Sequence, residues 1–120
     1  MKTWLFLAAI NGALALLAGA FAAHGLKARL SPELLGVFDT GARYHMSHAL
    51  AIGLAALAAR AGVARAQLAA LLFQTGIILF SGSLYLLAMT GQNLFGYVTP
   101  VGGLVLLAGW LTLAWRALKT

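Results

Sequence analysis

Residues 4–23 read WLFLAAINGALALLAGAFAA, a run with no charged side chain and one amide, Asn11. As a helix it extends about 30 Å, the thickness of a bilayer's hydrocarbon core. Lys2 before it and Ala20-Phe21-Ala22 near its end imitate a secretory signal, but the run is longer than a signal's usual apolar region, so a retained membrane span is expected. The rest of the chain follows the same pattern. Hydrophobic residues make up 62% of the 120 and charged residues 8%, well outside the averages for soluble domains.

Three further helices can be marked by their ends. Ser31 is an N-cap, Pro32 fits the first helical position and Glu33 sits near the positive end of the dipole. From Pro32 to Arg60 no proline intervenes, and such a helix is longer than the core is thick. Its outer third is expected to lie in the interface as an amphipathic extension before the second span. Gly62 ends that helix, Thr90-Gly91-Gln92-Asn93 ends the third, and Thr99-Pro100 opens the fourth. The reading is an all-α, integral membrane, antiparallel four-helix bundle: one transmembrane domain over residues 1–120, with spans at about 3–24, 38–60, 67–89 and 99–118.

The net charge of +6 comes from Lys and Arg placed singly near helix ends. No basic stripe forms, so nucleic acid is not an expected partner, and anionic lipid headgroups are the counter-charge. Lys2, Arg60, Arg65, Arg116 and Lys119 fall on one side, against Lys27, Arg29 and Arg43 on the other. That bias puts both termini in the cytoplasm of a multi-pass inner-membrane protein. Without cysteine there is no disulfide or thiolate site.

Lipid tails are as apolar as leucine, so close backbone approach and buried polar contacts must hold the helices together. Rows of small residues mark the expected seams: Asn11, Ala15, Gly19 and Ala23 on the first span, Ala49 and Gly53 on the second, Gly102 and Gly109 on the fourth.

Both carboxylates and all three histidines fall between His24 and His48. Asp39, Arg43, Tyr44, His45 and His48 cover more than half the circumference of the second helix, and ionisable groups in a membrane turn toward protein or water. Gln74, Ser81 and Tyr85 share a face of the third helix, and Tyr85 and Ser81 reach depths comparable with those of His45 and His48. An outer-leaflet polar chamber is therefore expected, lined by His24, Asp39, Arg43, Tyr44, His45, His48, Ser81 and Tyr85. Asp39 and Arg43 can also neutralise each other at i,i+4. The histidines could share a metal or bracket a haem, but no carboxylate is placed as a fourth ligand, and no metal or cofactor is assigned.

Ser47 and His48 splay apart on a helix, Ser81-Gly82-Ser83 is not a nucleophile elbow, and the glycines make no phosphate loop. The expected function is accordingly non-enzymatic: the chamber binds a small ligand or lipid headgroup, or supports assembly. The alternative is a small transporter or channel, which four helices would build only as a homo-oligomer. A histidine-ligated metal or haem protein ranks third.

Four ordered strings, GAFAAHGL at 19–26, RYHMSHAL at 43–50, FSGSLY at 80–85 and TPVGG at 99–103 with Gly109-Trp110, resemble the small membrane family known as domain of unknown function 423, of YgdD- and YwdK-like proteins and transmembrane protein 256. The resemblance spans nearly the whole chain. It implies a four-helix inner-membrane protein and brings no catalytic residue with it.

Overall fold

A computed structural model describes residues 2–119. Its elements are α1 (Lys2–Ala23), α2 (Pro32–Arg60), α3 (Gln67–Thr90), a short 3-10 helix (Asn93–Tyr97) and α4 (Thr99–Lys119), with no strand among the described residues. The ends are set by local chemistry. Ser31 is extended and its hydroxyl accepts the Leu34 amide at 3.2 Å, while Pro32 fills the first turn, where no amide is needed. Gly91 closes α3 at φ 71°, donating its N–H to the Leu87 carbonyl. Between α2 and α3 the chain reverses through Gly62 at φ 106° and Arg65 at φ 60°, and Arg116 Nε donates to the Ala64 carbonyl at 2.8 Å, tying α4 to this turn.

Each helix packs antiparallel against the next, with α2 and α3 in the middle. Small side chains allow this. Ala51, Ile52 and Ala55 of α2 meet Ala69, Ala70, Phe73 and Ile77 of α3, and Leu106 of α4 completes the cluster. A second cluster, Ala22, Leu26, Phe38 and Ala88, closes the other end of the bundle. It includes the start of α2, where Leu34, Leu35 and Val37 are half-buried and Pro32, Glu33 and Gly36 are exposed, an amphipathic extension continuous with the rest of the helix.

On α1 the seam differs from the expected row. Asn11, Ala15 and Ala22 are buried, whereas Ala23 is exposed and a Cβ on Gly19 would meet nothing. Steps of four residues overshoot a 3.6-residue turn by about 40° each, so a four-residue row winds away from a straight neighbour while a seven-residue step stays on it. On α4 the expected glycines do face the seam. A Cβ on Gly102 would collide with the backbone of Phe80, and one on Gly109 would lie 2.7 Å from the Phe73 ring.

The outer surface is apolar on every helix: Leu17, Leu50, Ile78 and Leu104 are 66%, 68%, 62% and 67% exposed. Helices α1 and α3 and the stretch Asn93–Lys119 are long and apolar enough to cross a membrane. The 29-residue α2 has the length but carries the polar residues, two of which, His45 and His48, are turned into the bundle.

Candidate functional site

The polar centre of the bundle is built around Asn11, halfway along an otherwise apolar helix. Its Nδ2 donates to the Leu7 carbonyl at 2.8 Å and to Gln74 Oε1 at 2.7 Å. A carbonyl can only accept, so the orientation of this amide is fixed and Oδ1 must face His45 Nε2, 2.9 Å away. His45 therefore donates from Nε2. In the neutral ring Nδ1, 2.9 Å from the Tyr85 hydroxyl, is then left to accept. The result is a directional chain from Tyr85 through neutral His45 and Asn11 to Gln74, joining α3, α2, α1 and α3 again. Ser81 lies beside it, fully buried, and donates to the Gly41 carbonyl at 2.8 Å. A Cβ on Gly41 would sit 3.1 Å from the Tyr85 ring, so glycine there lets the tyrosine lie across α2 toward His45.

His48 is bonded in the opposite sense. Its Nδ1 faces the Tyr44 carbonyl at 2.8 Å and must donate, while Nε2 accepts the Trp110 indole N–H at 3.0 Å. Trp110 packs edge-on to the ring and Phe73 lies tilted beside it, the two themselves edge to face. Both ring nitrogens are thus engaged, which makes His48 a tie between α2 and α4. The two histidines, three residues apart, carry their protons on different nitrogens and serve different seams.

The eight residues expected to line one chamber consequently separate. His45, Ser81 and Tyr85 come together, joined by Asn11 and Gln74. His48 points to the α4 side. Tyr44 stays with His48, its ring stacked at 6.1 Å, but is 45% exposed and also packs against Phe80. Asp39 and Arg43 form their i,i+4 pair at 3.3 Å on the outside, with most of both side chains exposed. His24 is exposed in the connection after α1. The physical reason is rotational: positions 100° apart on a helix face different neighbours, and α2 has α1 on one flank and α3 on another. Among the described residues, no group of three or more His, Asp or Glu is placed to share a metal.

Asn11, Gln74 and Trp110 were missing from the expected chamber. Asn11 carried a signal as the lone amide in its span, and Gln74 lay on the polar stripe of α3. Trp110 gave none, since an indole in a membrane helix is ordinary.

Beside the chain lies a groove of about 340 Å³ between α1 and α3, lined by Asn11, Leu14, His45, Gln74, Ile78 and Tyr85 among others. Gln74 is half-buried on its wall, and among the described residues no acceptor meets its Nε2. The groove thus offers an N–H donor framed by leucine and isoleucine.

Apolar outer surfaces, spanning-length helices and a buried polar tie define a helical membrane protein. The DUF423 family, described as "Protein of unknown function (DUF423)", matches residues 18–103. The chain is 40% identical to the UPF0382 membrane protein YwdK of Bacillus subtilis, over 99% of its length and 98% of the relative's. It is 41% identical to a UPF0382 membrane protein of Haemophilus influenzae, over 98% and 94% of the two chains. To the UPF0382 inner membrane protein YgdD of Escherichia coli it is 39% identical, over 96% and 88%. The chain belongs to the DUF423 family. No solved structure gives a significant match.

Proposed function

We propose that this protein is a non-enzymatic component of the inner membrane that holds a small membrane-soluble molecule in the groove between α1 and α3. The observation that carries this reading is the unmatched Gln74 donor at the groove's polar wall. An amide N–H facing hydrocarbon is costly without an acceptor, so the fitting ligand bears a carbonyl-type oxygen on an apolar body. Asn11 lies midway along α1, which favours a molecule dissolved in the core over a headgroup at the surface. The excess of Lys and Arg at the ends bearing Lys2, Arg60, Arg65, Arg116 and Lys119 supports cytoplasmic termini, with α2 as the fourth span.

Ligand holding fits better than conduction through one copy. Toward Arg60 the polar chain stops at a cluster of Ile52, Ala55, Ala69, Ala70 and Phe73, all fully buried. A path would have to cross it.

Gln74→Leu tests the reading, since it removes the donor while leaving Asn11 bonded to the Leu7 carbonyl. Protein purified from its native membranes is extracted with solvent and the extract compared by mass spectrometry. A small molecule enriched with the wild type is expected to fall at least tenfold with Gln74→Leu, at unchanged helical content. Identical extracts from the two would refute the proposal.

A further inference from the structure

A separate furrow runs along the seam of α1 and α2. Its apolar part, about 530 Å³, is floored by small residues, with Leu5 and Leu57 at one end and Met46 at the other. At the Leu5–Leu57 end it continues into a small pocket flanked by Lys2 and Arg60. Neither cation has an ion-pair partner among the described residues. The two carboxylates of the chain, Glu33 and Asp39, lie toward the other end of α2, Asp39 about 31 Å of helix from Arg60.

From Leu57 to Met46 the furrow follows about 16 Å of helix, close to one leaflet of hydrocarbon, about 15 Å. Beyond Met46 its lining turns polar at Arg43 and Asp39. A trough one leaflet long, capped at the membrane boundary by two unpaired cations from different helices, matches the shape and charge of a single lipid.

We propose that this furrow seats one acyl chain of an anionic phospholipid, with the phosphate held between Lys2 and Arg60. The lipid would bridge the start of α1 and the end of α2, where a Cβ on Gly53 would already stand only 3.6 Å from Ala8. Zwitterionic lipids fit the trough equally but bring no net charge to the cations.

The full chain, purified in detergent, is titrated with phosphatidylglycerol or phosphatidylcholine and bound lipid is counted by native mass spectrometry. The wild type is expected to retain phosphatidylglycerol about thirty-fold more tightly, as two basic groups near a membrane surface allow. Lys2→Gln with Arg60→Gln abolishes that preference, whereas Lys27→Gln with Arg29→Gln, at the other end, leaves it intact. Equal retention of both lipids by the wild type, or a preference that survives Lys2→Gln with Arg60→Gln, overturns the proposal. A lipid-free dimer that Ala9→Leu dissociates would also overturn it, by assigning the furrow to a second copy.

Discussion

Gly102→Ala is expected to destabilise the bundle by about 3 kcal/mol in equilibrium unfolding in detergent, the upper range for overpacking a closely packed site. The added methyl would meet the main chain of Leu79 and Phe80. Backbone cannot rotate aside as a side chain can, so α4 must move away from α3. That separation would also strain the Trp110–His48 bond and the 2.6 Å contact between the Ser83 and Thr99 hydroxyls. Gly103→Ala is the internal control. Its methyl would approach Phe80 at 3.6 Å, an ordinary contact, and alanine is the better helix former by as much as about 1 kcal/mol. Adjacent glycines in one helix should therefore respond with opposite signs. Similar losses from both would mean that α3 and α4 are not in contact through Gly102.

Asn11→Leu is the second large effect, expected at about 2 kcal/mol by the same measurement. It strands the His45 Nε2–H and removes the donor to Gln74 Oε1, and each orphaned group costs about 1–3 kcal/mol where water is absent. The sum is moderated because a helix unfolded within a membrane finds other partners. Combining Asn11→Leu with His45→Phe should recover part of the loss, since both ends of the bond are then apolar. Additive losses would show that Asn11 and His45 are not partners.

Much of the bundle could be read from the chain because helix ends are local. Ser31-Pro32-Glu33, Gly62, Gly91 and Thr99-Pro100 each act through their own backbone or nearest turn, and the helices begin and end there. The membrane assignment was legible for a similar reason: runs of apolar residues need no partner to be recognised. Rotation about a helix axis is another matter. Helix α1 is apolar around its circumference, so no periodicity tells which side faces α2, and Asn11 could be singled out without its partners being known. Gly19 is the counter-example, a small residue that looks like a seam but leaves open space where a side chain would go. On α2 the polar residues were evident, but five of them spread over a wide arc cannot share one neighbour. Asp39 and Arg43 satisfy each other outside, leaving His45 and His48 to divide the interior between α1 and α4. Trp110 became identifiable as a partner only when α4 was packed against α3, which brings its indole within reach of His48 on α2.

The directional chain from Tyr85 to Gln74 underlies both the contact of α1, α2 and α3 and the proposal that the Gln74 amide holds a ligand. Nitrogen-15 NMR of the histidine side chains at neutral pH tests it most directly, because each ring reports which nitrogen bears the proton. His45 is predicted to be protonated at Nε2 and His48 at Nδ1, both neutral, with the His45 signal displaced in Asn11→Leu. A His45 ring protonated at Nδ1 alone, or one indifferent to Asn11→Leu, would contradict the account.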